Sequence, residues 1–295
     1  MSSEKSEKSA RILLKLEASL AAGDFYGALQ LYRTIVKRQL DAGEFDSAAA
    51  LVASGVAALA RHGRAPEGAD LYDMLIKTLL ADANATAEPM RVAALVRAAD
   101  AFPCNDAVAG AAAVPVLAAA ARWASVAPLR EGGAAGGSDE STSDAGARRL
   151  RVAPLHRAAA AAAACAGVDF AADAARHYLE ASAPAEFGAF LYKWAKGGLT
   201  RGKVVAPKSD VGGVGIVGVG KGGGYAGEGE LFLARAVMQL LCLGNLGDAN
   251  AVRDAFIAAA EGGKSSEGGE AWFLAATESP LAHWTKFALL TCEVR

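Results

Sequence analysis

A turn signal that recurs at a fixed interval near the start of the chain constrains the fold more than any other feature. Gly23-Asp24-Phe25 is followed by Ala28, and twenty residues later Gly43-Glu44-Phe45 is followed by Ala48. A glycine ends one helix in a left-handed turn, and an acid in the first turn of the next helix meets the positive end of the dipole. The aromatic anchors the new helix, and the small Ala lets a neighbouring backbone approach. A period near twenty residues with a turn signal each time marks stacked antiparallel helices.

The rest of the chain follows the same grammar. Ile12, Leu13, Leu16 and Leu20 form one stripe on a first helix over 11–22, and the two repeats give helices near 24–41 and 44–62. Asp70 reads as the N-cap of a helix whose Leu71, Leu75 and Leu79 face inward. Pro89 opens a helix closed by Phe102-Pro103, and another covers 105–126 with Pro115 inside it, as a kinked helix or two shorter ones. Residues 130–149, rich in Gly, Ser and acids, read as a surface linker. It separates an N-terminal helical half, 1–129, from a C-terminal one, 150–295. Beyond it, Gly167-Val168-Asp169-Phe170 and Gly247-Asp248 resemble degraded copies of the opening turn. Helices are expected at 153–166, 168–181, 184–197, 228–243, 246–261, 269–277 and 279–294. The expected fold is therefore all-α, an α-solenoid of stacked antiparallel helix pairs, tetratricopeptide-like. Its exception is 203–225, where alternating Val and Gly suit a short β-hairpin or a Gly-rich insert.

Composition excludes several functions. A formal charge of −2 and a pI near 6.1 are not those of a nucleic-acid-binding domain. Cys104, Cys165, Cys242 and Cys292 stand far apart, without the CxxC or Cys/His spacing of a zinc site, and read as buried, reduced thiols of a cytosolic protein. The charged N-terminus lacks the apolar run of a signal peptide, and Ala-rich runs such as 158–164 are too short to span a bilayer. The expectation is a soluble protein.

The insert also contains GVGIVG at 213–218 and GIVGVGKG at 215–222, which approach phosphate-binding patterns. A phosphate loop would need Lys221 to be followed by a hydroxyl and a helix, but Gly222, Gly223 and Gly224 follow. No alternating strands and helices surround it. His62, His156, His177 and His283 fall on separate helices as surface or capping residues, and Trp123, Trp194, Trp272 and Trp284 read as core anchors. No cofactor and no enzymatic activity are expected.

The more informative group is basic. Arg33, Lys37 and Arg38 share one side of the second helix, and Lys15 joins them from the helix before. Such a group is either a solvated face or an electrostatic patch for an acidic partner. Asp70 and Asp73 add opposite polarity at the same end.

GDFYGALQLYRTIVKRQL at 23–40, Ala48 to Gly55 and Gly68-Ala69-Asp70-Leu71 resemble the opening of the GET-pathway scaffold subunit, the fourth component of guided entry of tail-anchored proteins. Trp123, Pro154-Leu155-His156, Ala174 to Leu179, ELFLARAVMQLLCLGNLGDAN at 230–250 and PLAHWTKFALLTCE at 280–293 are also similar. The resemblance implies a cytosolic, non-catalytic adaptor for tail-anchored proteins bound for the ER membrane. Its N-terminal half would dock the targeting ATPase through Lys15, Arg33, Lys37, Arg38 and Asp70. Its C-terminal half would hold a ubiquitin-like-domain protein, which recruits the co-chaperone carrying the newly made protein. The 203–225 insert and the two last similar segments would carry that contact, through Leu231, Phe232, Arg235, Leu240, Leu281 and Trp284. The protein alone would be a monomer that joins a larger hetero-oligomer. Leu29 stands where relatives often carry His, and the family continues as helix beyond Arg295, so a shortened C-terminal contact is expected. The alternative is a generic tetratricopeptide-like adaptor of another pathway, with a groove lined by Asn and Lys; these helices carry few Asn.

Overall fold

The computed structural model describes residues 15–16, 18–82, 84–127, 142–199, 229–262 and 279–293. All regular structure among them is helical. Helical residues 15–16 and 18–21 form α1. They are followed by α2 (Phe25–Asp41), α3 (Phe45–Arg61), α4 (Ala65–Ala81), α5 (Pro89–Ala99), α6 (Ala107–Val126) and α7 (Thr142–Ala166). After a 3-10 turn at Val168–Phe170 come α8 (Ala171–Glu180), α9 (Pro184–Ala195), α10 (Gly229–Cys242), α11 (Leu246–Gly262) and α12 (Pro280–Glu293). The expected hairpin or insert at 203–225, the helix at 269–277, Lys221 and Trp272 lie outside the described residues. The chain divides into two compact units, Met1–Asn105 with Ala112–Ala158, and Asp106–Ala111 with Ala159–Arg295.

In the first unit the twenty-residue interval is literal. Helices α2, α3 and α4 are each 17 residues long. The glycine before each has a left-handed backbone, with φ of 75° at Gly23, 75° at Gly43 and 70° at Gly63. At each turn the residue after the glycine donates to a carbonyl five residues back: Asp24 to Ser19, Glu44 to Gln39, Arg64 to Leu59. That bond satisfies a carbonyl the ending helix would otherwise leave open. The same residue caps the next helix, and Asp24 accepts the Gly27 N–H at 2.8 Å. Gly63-Arg64 is thus a third copy without acid or aromatic, and Pro66 fixes its first turn. This corrects the reading of Asp70 as an N-cap. The helix begins at Ala65, and Asp70 lies inside it on the exposed side.

Ala28 and Ala48 are fully buried where neighbouring helices meet, as the repeat requires. Leu71, Leu75 and Leu79 point into the same core. Where α3 meets α4 the approach is closer still: a Cβ on Gly55 would lie 2.8 Å from Leu71 Cδ1. Tyr72 carries its hydroxyl into this core and donates to the Leu95 carbonyl at 3.1 Å, tying α4 to α5. Burial, with Asp100 nearby, pushes its phenol far above the usual range, so it stays a neutral donor.

Pro115 lies within a single helix, α6, on its exposed side. At 20 residues, α6 is long and apolar enough to cross a membrane. Ala113, Leu117, Ala120, Ala121, Trp123 and Ala124 are nevertheless buried within the protein, which makes it a core helix. Helix α7 starts at Thr142, so residues 142–149 of the expected linker are helical instead. One cause is visible in the first unit. Arg148 reaches the carbonyls of Ser125 and Ala127 at 3.0 and 3.4 Å, supplying donors to the open end of α6. About two turns on from that arginine, His156 meets Ser125 Oγ at 3.2 Å. Only 9% exposed, it is a core histidine rather than a surface one. Burial, reinforced by the Arg149 charge, lowers its pKa to about 4.

The second unit is organised on the crossing of α9 and α11. A Cβ on Gly188 would lie 2.5 Å from the Val252 carbonyl oxygen and 2.8 Å from the Phe256 nitrogen, so the two backbones touch. Rings fill the space around the crossing: Tyr178 stacks on Phe187 at 5.5 Å, and Tyr192 meets Phe256 edge-on at 5.8 Å. The turn before α11 is made by Gly244, with φ of 71°. Gly247-Asp248, expected as a copy of the opening turn, lies inside the helix, and the Asp248 N–H is held by Asn245 Oδ1 at 3.2 Å. Asn250 binds Glu293 at 2.8 Å and Ser279 binds the Glu230 carboxylate, fastening α12 to α11 and α10.

The cysteines correct another expectation. Cys104, Cys242 and Cys292 are exposed and Cys165 is half-buried, and none of the four is in a disulfide. Cys242 and Cys292 occupy the last turns of α10 and α12, facing away from the core.

Candidate functional site

The basic group of α2 lies in the first unit, and its members have different surroundings. Arg33 is half-buried, and its Nη2 meets Asp70 Oδ2 at 3.0 Å across to α4. The pair keeps 37% and 58% of its side-chain surface exposed, so it is a solvated ion pair. One turn further along α4, Lys77 binds Asp73, and that hydrogen bond and charge raise the lysine pKa. Lys37 and Arg38 are exposed on the next turn of α2 and make no ion pair among the described residues. Arg38 lies in the last turn, where the helix dipole favours a cation. Lys15 is exposed on α1. The structure therefore joins Arg33 with Asp70 in one contact and leaves Lys37 and Arg38 as available positive charge. A shallow groove lies at the start of α2, lined by Phe25, Tyr26, Leu29, Arg64 and Glu67. There Arg64 stacks over the Phe25 ring at 5.3 Å and pairs with Glu67 at 3.3 Å.

In the second unit the residues expected to face a partner divide in two. Leu231 and Arg235 are exposed on α10, Phe232 and Leu281 are half-buried, and Trp284 on α12 is 45% exposed. Leu240 is 1% exposed and packs in the core beneath α10. Its assignment to the partner surface is corrected: it lies on the inward stripe with Leu233, Ala236 and Val237. Trp284 is corrected in the opposite direction, from core anchor to surface residue. Beside it on α12, Phe287 and Leu290 are 66% and 50% exposed, an apolar face that sequence reasoning did not single out. The signal was present as Trp284, Phe287 and Leu290 at three-residue spacing, but the same spacing also describes a core stripe.

A cavity of about 140 Å³ opens between α8, α9 and α10. Its walls are Phe187, Leu191, Trp194 and Phe232, with Arg176, Arg235 and Gln239 among its polar lining. Phe187, Leu191 and Trp194 follow the helical spacing of a core stripe, the reading the sequence gives Trp194. Among the described residues, no group of three His, Cys, Asp or Glu could hold a metal ion.

A family model described as Golgi to ER traffic protein 4 matches residues 42–295 of the chain. Lys15, Arg33, Lys37 and Arg38 precede that match, whereas Asp70 and the residues of α10 and α12 fall inside it. Among solved structures, the chain is similar to the "Crystal structure of C. therm. Get4" at 17% identity and a TM-score of 0.57, with 96% of this chain and 77% of that chain covered. At that identity the likeness supports the fold. No curated protein matches the chain.

Proposed function

Because the chain belongs to the Golgi to ER traffic protein 4 family, a scaffold of tail-anchored protein targeting, we propose that it is a non-catalytic adaptor with two docking surfaces. The first, on the N-terminal helices, binds the targeting ATPase in its nucleotide-loaded form and restrains hydrolysis. Lys37 and Arg38 supply the attraction, and the Arg33–Asp70 pair fixes the edge beside them. The second, on α10 and α12, binds a ubiquitin-like-domain protein through Leu231, Phe232, Arg235, Leu281 and Trp284. The protein acts in the cytosol, as a monomer that joins a larger hetero-oligomer.

The observation that carries the first surface is the exposed positive charge of Lys37 and Arg38, in no ion pair among the described residues, beside a pair already closed within the chain. Exposed charge of this kind steers encounter and weakens with salt. The test is co-purification with the family's targeting ATPase, with and without nucleotide. Binding is expected with nucleotide and to fall as salt rises. Replacing Arg33, Lys37 and Arg38 together by Ala should weaken it severalfold with helical content intact, and unchanged binding removes the assignment.

A further inference from the structure

The cavity between α8, α9 and α10 has a composition that none of the surfaces above requires. Its floor is apolar: Phe187 and Leu191 are buried, and the half-buried rings of Trp194 and Phe232 pack with centroids 4.4 Å apart. Its volume of about 140 Å³ is close to that of an apolar protein cavity of about 150 Å³ that admits benzene. The space therefore suits one phenylalanine ring. Two guanidinium groups line it as well. Arg176 is offset by Asp173 at 3.3 Å on its own helix, whereas Arg235 is exposed and makes no ion pair among the described residues. Arginine beside aromatic walls pairs with carboxylates at low desolvation cost.

We infer that this cavity is a receptor for a phenylalanine side chain carried on an acidic segment of a partner protein. The ring enters between Trp194 and Leu191, and carboxylates on either side of it pair with Arg235 and Arg176. The two parts of the recognition are separable: burial of the ring supplies affinity, and the arginines select the charge around it. The site shares Phe232 and Arg235 with the proposed ubiquitin-like-partner surface but does not depend on which protein brings the segment.

The experiment is fluorescence anisotropy of the full chain with a labelled synthetic peptide holding one phenylalanine between two pairs of glutamates. Saturable binding is expected, weaker by about tenfold or more when Ala replaces the phenylalanine. It should be lost when lysines replace the glutamates. The Arg176→Glu, Arg235→Glu double variant should lose binding with an unchanged thermal midpoint. Because Ala175 is half-buried at the cavity, Ala175→Leu should weaken the phenylalanine peptide and leave the alanine peptide unaffected. Equal affinity for the phenylalanine and alanine peptides, or binding that survives charge reversal, overturns the proposal. So does binding that appears only when Trp272 and Phe273 are replaced by Ala, because a segment of this chain would then be the occupant. The assay contains no ubiquitin-like protein, so its failure leaves the proposed docking of that partner standing, and the reverse also holds.

Discussion

Arg33 and Asp70, separated by 37 positions in the chain, close a 3.0 Å ion pair between α2 and α4. One residue of a basic face is thereby committed to an internal contact, and the charge available to a partner shifts to Lys37 and Arg38. Both members of the pair keep much of their hydration, so the bond orients more than it stabilises. A double-mutant cycle with Arg33→Ala and Asp70→Ala should give a coupling energy of about 1 kcal/mol or less in denaturant unfolding. A coupling several times larger would mean that the pair is shielded from water.

Glycines separate close packing from turn geometry. Gly188→Ala puts a Cβ against the backbone of α11 and should cost about 2–4 kcal/mol in thermal or urea unfolding. Gly43→Ala meets no atoms but must hold φ near 75°, and should cost about 1–2 kcal/mol. Gly247→Ala, inside α11 with open space around it, should be neutral or stabilising by up to about 1 kcal/mol. An unaffected Gly188→Ala protein would show that α9 and α11 do not touch.

His156 gives stability a defined pH dependence. Its folded pKa of about 4 lies below the ordinary value of 6.5. Between these values the unfolded chain takes up a proton that the folded chain does not, so stability rises with pH across that window. The contribution is complete above about pH 6.5 and is lost as pH falls towards 4, amounting to on the order of 2 kcal/mol. His156→Gln, which keeps a partner for Ser125, should flatten the slope of stability against pH from 4 to 6.5. A slope unchanged in the variant would assign the effect to other groups.

Leu240 and Trp284 should respond in opposite ways. Leu240→Ala removes a buried side chain and should cost about 2–5 kcal/mol of stability. Trp284→Ala, at a surface position, should change stability by less than about 1 kcal/mol while weakening capture of the ubiquitin-like partner at least tenfold. Isothermal titration with that partner, beside thermal melts, separates the two. A destabilised Trp284→Ala protein with normal binding would return that tryptophan to the core.

Much of the helical framework was legible because it rests on local rules. Gly23 and Gly43 end helices in left-handed turns wherever those helices pack, and Leu71, Leu75 and Leu79 share a face by the geometry of 3.6 residues per turn. The third turn at Gly63 was hidden because Arg64 and Ala65 replaced the acid and the aromatic, although the spacing persisted. The sequence by itself therefore determined the helical framework of the described residues, the length of its opening helices and the position of its basic face. Only the tertiary structure decided that Arg33 is taken by Asp70, that Leu240 faces inward while Trp284 faces out, and that positions on α8, α9 and α10 line a common cavity. Those outcomes depend on which helix lies opposite, and neither periodicity nor composition encodes a neighbour far away along the chain.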